Sequence, residues 1–250
     1  MILVIGVGCE SMAASKAESS ESRVIREERG VEPADSKDSP TDGEARPAPL
    51  MEEFTDIHGK QGALKILFLG DGRGDLPGVR REFQAVVETL SPLARQGYLH
   101  GNFLLGPNLT KNKLESLLLK TQYSIVYYAG HARESGRVLP FAGSNLDTLE
   151  FLRIINQNPP GLLIMNACYS LGDPVKLDLM KALFVDSGVI MAIGTSYFVR
   201  DDVPAKVFPQ FFESLIHGRT PGEALFDAKR KDPDALMQYF FLGDPLTPLK

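Results

Sequence analysis

Cysteine is scarce in this chain. The two present, Cys9 and Cys168, lie at opposite ends of very different segments, so no disulfide framework staples the protein. Positive charge is also in short supply: 27 Lys and Arg stand against 32 Asp and Glu, for a net charge of −5. With no Lys/Arg cluster interleaved with aromatics, this argues against a nucleic-acid surface. Two cysteines and four scattered histidines give no usable ligand spacing, so neither a metal nor a cofactor is expected. A Gly-x-Ser-x-Gly elbow is missing, which removes the common serine hydrolase arrangement. The Gly-rich stretch Gly70-Asp71-Gly72-Arg73-Gly74-Asp75 lacks the spacing of a dinucleotide or phosphate loop. No internal repeat is visible.

Long apolar runs are absent too, because Gly, Pro or charge interrupts them every few residues. No membrane span is therefore expected, and the protein reads as cytoplasmic. The segment Met1–Cys9 is apolar but too short to span, and it lacks the basic start of a signal peptide. Small residues ahead of Cys9 are similar to a lipoprotein cleavage box, with Gly6 where such boxes prefer Leu. A start upstream of Met1 would make residues 1–9 a truncated signal, with a lipid anchor on Cys9 in the cell envelope as the alternative.

Composition divides the chain. From about Ser11 to Pro49 it is rich in Glu, Ser, Asp, Arg, Ala and Pro, with no aromatics and almost no large apolar side chains. Such a segment buries too little surface to offset the entropy of ordering it. Residues 1–60 are accordingly read as a disordered tail and residues 61–250 as one domain.

Within that domain short apolar runs alternate with helical patterns. Strands are expected at Lys65–Gly70, Leu99–Leu105, Ser124–Gly130, Leu162–Ala167 and Gly188–Gly194. Helices are expected over Pro77–Leu90, Lys111–Lys120 behind a Thr110 cap, Leu146–Asn156, Val175–Val185, Asp202–His217 and Thr220–Lys231. On the first, Val79, Phe83, Val86, Val87 and Leu90 form the apolar set, with Arg80, Arg81, Glu82 and Glu88 between them. On the last, Thr220, Pro221 and Glu223 match a capping box. Residues 132–144 are polar, with Val138, Leu139 and Phe141 suggesting a hairpin, and Phe240–Leu242 is apolar before a turn. The alternation implies an α/β fold with a mostly parallel sheet covered on both faces.

Two of these strands end in reactive residues. Tyr127-Tyr128-Ala129-Gly130 runs into His131, and Ile164-Met165-Asn166-Ala167 runs into Cys168. The carboxyl ends of parallel strands are where open α/β sheets keep their sites. The interval from His131 to Cys168, 37 residues, accommodates one strand–helix–strand crossover. A Cys and a His side by side suggest a thiolate nucleophile and its base. The plainer alternative is an inert core thiol and a hydrogen-bonded structural imidazole. His58, His100 and His217 have no partner motif and read as surface residues.

Four ordered blocks carry a resemblance: Tyr128-Ala129-Gly130-His131, Met165-Asn166-Ala167-Cys168-Tyr169-Ser170, Gly218-Arg219-Thr220-Pro221-Gly222-Glu223-Ala224-Leu225 and Leu242-Gly243-Asp244-Pro245. With Gly194 to Asp202 as a fifth, they resemble the CHAT domain, a bacterial branch of the caspase, separase and gingipain peptidase clan. The resemblance implies a caspase-like three-layer α/β/α sandwich and a cysteine endopeptidase. It further implies Cys168 as nucleophile, His131 as base, and an oxyanion hole made by the Cys168 and Ala132 backbone N–H groups. Asp71 falls near where the clan often places a residue of its substrate pocket, with a plain turn residue in Asp71-Gly72 as the preferred alternative, and Tyr169 either lines that pocket or simply packs. The implied partners are a protein or peptide substrate and an activating protein. Three departures stand out: Ala132 replaces the family's Gly, Tyr197 replaces its Trp, and a short tail replaces its helical repeats. The first leaves a second reading open, a catalytically silent CHAT-like module that binds or scaffolds in a bacterial stress or defence system.

Overall fold

The computed structural model describes residues 63–70, 76–171, 188–232 and 238–249. The tail, Cys9, Asp71 and the helix expected over 175–185 lie outside them.

The chain runs β1 (Leu64–Gly70), α1 (Pro77–Arg95), β2 (Leu99–Leu105), α2 (Lys111–Lys120), β3 (Ile125–Ala129), then a hairpin of β4 (Val138–Phe141) and β5 (Ser144–Asp147). There follow α3 (Thr148–Ile155), β6 (Leu162–Asn166), β7 (Ala192–Thr195), α4 (Pro204–Ile216), α5 (Pro221–Lys231) and β8 (Tyr239–Leu242). Six strands form one sheet in the order β2-β1-β3-β6-β7-β8, with β4 and β5 paired apart from it. Strands β2 through β7 in that order are parallel, and β8 runs antiparallel to β7.

Both faces of the sheet are buried, which is why its central strands read as continuous apolar runs rather than alternating ones. On one face Ile66, Phe68, Tyr127 and Ile164 pack with Phe83 and Val86 of α1, Phe208, Phe211 and Phe212 of α4, and Ala224 of α5. On the other, Leu67, Leu69, Val126 and Leu163 pack with Leu114 and Leu118 of α2, Phe151 and Leu152 of α3, and Leu139 and Phe141 of the hairpin. The result is the three-layer α/β/α sandwich. Each fully buried Leu or Phe contributes about 1.5–3 kcal/mol, so these two layers supply most of the drive to fold. Among the described residues no helix is long and apolar enough to cross a membrane.

Local chemistry sets several boundaries. Thr110 caps α2, its side chain accepting the Lys113 N–H at 3.3 Å. The helix expected from Leu146 begins instead at Thr148. Asp147 is its cap, its carboxylate accepting Leu149 N–H at 2.8 Å and Glu150 N–H at 3.2 Å, and this frees Leu146 to close the hairpin. The capping box of α5 forms as expected. The segment Tyr239–Leu242 differs from its reading as an apolar stretch before a turn: it is an edge strand, its four residues too few to show a period.

Two distant sequence blocks meet at the start of α5. The Thr220 hydroxyl donates to the Pro245 carbonyl at 2.6 Å. A Cβ on Gly222 would collide with Pro245, and one on Gly243, at φ 115°, would collide with the Ile190 carbonyl.

Candidate active site

The connection from β1 goes to β2 on one side, and the chain then returns to lay β3 on the other. A reversal of this kind, here between β1 and β3, marks the usual place for a site at the carboxyl ends of the strands in such sheets. Strand β6 borders it next. In the β3–β6 register Ala129 faces Asn166, and the Gly130 N–H continues the ladder onto the Asn166 carbonyl at 3.2 Å. His131 and Cys168 each follow two residues beyond that facing pair. Neighbouring strands lie about 4.8 Å apart, so the register releases the two at the same level on adjacent strands. Both are half-buried.

Each residue leaves its strand in a fixed turn. The Tyr128 hydroxyl donates to the His131 carbonyl at 2.9 Å. Beyond it Arg133 and Val138 exchange backbone hydrogen bonds of 2.8 and 3.2 Å, and the Thr148 hydroxyl donates to the Gly136 carbonyl at 2.5 Å. On the Cys168 side the Ser170 hydroxyl donates to the Met165 carbonyl at 2.7 Å and accepts the Thr195 N–H at 2.9 Å. The Thr195 hydroxyl donates to the Ala167 carbonyl at 2.6 Å. Tyr169 is held at φ 54°, an uncommon state for a bulky residue that orders the turn just after the thiol.

The Cys168 sulfur accepts the Val199 N–H at 3.4 Å. Among the described residues neither the Cys168 N–H nor the Ala132 N–H meets an acceptor. Ala132 also avoids the left-handed backbone region, so the methyl group carries no strain there. Beside the thiol, the Tyr169 ring packs edge-on against Phe198 at 4.9 Å, and Tyr197 and Phe198 are 51% and 72% exposed.

Under the turn lies a buried polar chain. Asn166 donates through Nδ2 to both oxygens of Glu82 at 2.8 Å and accepts the Tyr239 hydroxyl through Oδ1 at 2.7 Å. Burial pushes the Glu82 carboxyl well above the usual range, partly offset by the Asn166 hydrogen bond. Burial also raises Tyr239, with the charges of Glu82 and Cys168 adding to the effect.

The structure thus brings His131, Ala132, Cys168 and Tyr169 to one edge, whereas Asp71 lies outside the described residues. His100 is not a surface residue as expected. It is half-buried on β2, with its ring 3.2 Å from Asn102 Oδ1. Three participants went unrecognised in the sequence. Glu82 is 3% exposed and not a polar residue between apolar positions. Its place three residues after Val79 and four before Val86 is the signal that marks it as inward-facing. Asn166 and Tyr239 carry no such signal, since each needs the fold to find its partners.

The family model described as CHAT domain matches residues 17–232. No curated protein matches. Among solved structures, 18 chains match. One is the crystal structure of gingipain R (RgpB), described as an Arg-specific cysteine proteinase: it is 17% identical, with a TM-score of 0.56 over 78% of this chain and 50% of that one. The chain spans half the length of that structure, and at this identity the likeness establishes the fold, a caspase-like α/β architecture.

Proposed function

The chain belongs to the CHAT domain family, and from that premise we propose that residues 61–250 form a cysteine endopeptidase with Cys168 as nucleophile and His131 as its base. The observation that carries this reading is the β3–β6 register, with Ala129 opposite Asn166 and the reactive pair two residues further on. The Val199 N–H on the sulfur and the open amides of Cys168 and Ala132 support it. So does the fold shared with gingipain R, itself described as a cysteine proteinase.

In the reaction the Cys168 thiol gives its proton to His131, and the thiolate attacks the scissile carbonyl carbon. The carbonyl oxygen takes the negative charge and is stabilised by the Cys168 and Ala132 N–H groups. His131 passes its proton to the leaving amine as the C–N bond breaks, leaving a thioester on Cys168. Water, deprotonated by His131, then attacks the thioester and returns the free thiol and a carboxylic acid. Tyr169 and, from its sequence position, Asp71 are the residues we assign to the substrate pocket. The substrate is a protein or peptide, and an activating protein partner gates access.

The test is covalent labelling with acyloxymethyl ketone peptides that vary the residue ahead of the cut, basic ones included, read by intact mass. An adduct on Cys168 that disappears in His131→Ala establishes the peptidase. Failure of every probe, with and without candidate activators, moves the reading to a catalytically silent binding module.

A further inference from the structure

The peptidase chemistry above makes no use of the buried chain Glu82–Asn166–Tyr239, yet Asn166 bears on both turns that carry the proposed pair. Its backbone carbonyl accepts the Gly130 N–H, next to His131. Its own strand ends two residues before Cys168. Its side chain is held from α1 by Glu82 and from β8 by Tyr239. One residue therefore links both reactive turns to a helix and to the edge strand.

A carboxyl group is a costly way to fill a site that shares a helix face with Val79, Phe83 and Val86. An apolar side chain of similar volume would serve packing as well or better. What it would not do is accept from Asn166 and so fix which way that amide points.

We propose that Glu82 is a positioning residue: through Asn166 it sets the level and orientation at which Cys168 and His131 leave their strands. The proposal rests on the peptidase reading of those two residues. The ionisable groups bearing on the chain are Glu82 from α1, Tyr239 from β8 and Cys168 from the turn after β6. All three are acids, so a charged Glu82 opposes the Cys168 thiolate, and a neutral one supports the turn without opposing it. Burial holds Glu82 toward the neutral form, whose carbonyl oxygen still accepts the Asn166 N–H.

The experiment is the pH profile of Cys168 alkylation by iodoacetamide in the full chain, read on the Cys168 peptide so that Cys9 does not contribute. Wild type, His131→Ala, Glu82→Gln, Glu82→Leu and Tyr239→Phe are compared, with thermal unfolding recorded for each. Glu82→Gln should keep its midpoint and stay within about fivefold of the wild-type rate, because the amide oxygen replaces the acceptor. Glu82→Leu, folded, should lose about tenfold or more of the His131-dependent rate through misplacement alone. Tyr239→Phe should lose rate in the same direction. A Glu82→Leu variant with the wild-type rate and midpoint overturns the proposal. So does a midpoint about one unit lower in Glu82→Gln, which would mean that a charge and not a support had been removed. If Glu82→Leu does not fold, an unchanged Tyr239→Phe overturns it instead. A wild-type profile indifferent to His131→Ala overturns the peptidase reading itself, and the role of Glu82 with it.

Discussion

Ala129 and Asn166 face each other across the β3–β6 pair, and the two reactive side chains follow each of them by the same two residues. Equal offsets on parallel strands cancel, so the pairing of two unreactive residues sets a thiol-bearing and an imidazole-bearing residue at the same level on adjacent strands. The first prediction tests the pair directly. Cys168→Ala and His131→Ala should each lower peptide cleavage by about four orders of magnitude, the scale on which paired catalytic residues act together. Both positions are half-buried at a sheet edge, so unfolding temperatures should change little. Cleavage retained in Cys168→Ala, measured on a fluorogenic peptide, would sink the assignment.

Ala132→Gly restores the residue common in the family. Because Ala132 is not in the left-handed region, Gly gains no conformation that Ala lacks. Activity should stay within about fivefold of wild type, the equivalent of under 1 kcal/mol. A gain of several hundredfold in kcat would show that the methyl group had blocked the oxyanion hole.

Glu82 should make stability fall as pH rises. Its folded value is raised by burial above the ordinary 4.5, so between those two values the native state binds more protons than the unfolded chain. Its contribution is fully present below pH 4.5 and is lost as pH climbs through the folded value. In Glu82→Gln this slope disappears. Urea midpoints of the two proteins, followed upward from pH 4.5, should diverge, and parallel curves would contradict the burial of an ionisable acid.

Tyr127 sits in the aromatic core between Phe83 and Phe208, and among the described residues its hydroxyl has no hydrogen-bond partner. An orphaned buried hydroxyl costs free energy that a plain ring does not. Tyr127→Phe should therefore stabilise the fold by about 1 kcal/mol. Destabilisation in thermal unfolding would mean that the hydroxyl is satisfied after all.

Gly222→Ala drives a methyl group into Pro245 and should destabilise by about 1–3 kcal/mol, the usual cost of overpacking. Thr220→Ala removes both an N-cap and the bond to the Pro245 carbonyl and should cost about 1 kcal/mol. Chemical denaturation of each variant reads the loss, and a neutral Gly222→Ala would show that the turn at Pro245 yields easily.

Much of this architecture is legible in the sequence. The sheet strands β1, β2, β3 and β6 announce themselves as largely apolar runs closed by Gly or Asn, and the Thr220–Glu223 box marks its helix by chemistry that acts within four residues. The placement of His131 and Cys168 just past two strand ends is legible because each apolar run stops shortly before them. What the sequence hid was long-range. Tyr239 belongs to a strand only because β7 offers an edge, and Glu82 looks like one more polar residue on an amphipathic helix until Asn166, 84 positions away, accounts for it. The spacing of Glu82 from Val79 and Val86 marks it as inward-facing, but nothing local names the partner it is buried for.

The antiparallel strand β8 carries one more consequence, which concerns time. A ribosome delivers Glu82 first, Asn166 next and Tyr239 last, yet all three meet under the same thiol. While the chain is still being made, α1 and the central strands can pair, but Asn166 has only one of its two anchors. The support beneath Cys168 closes when the segment after α5 docks on β7, so in an incomplete chain the setting of that thiol is unfinished. In a chain whose proposed work is to cut others, the order of synthesis delays completion of that support.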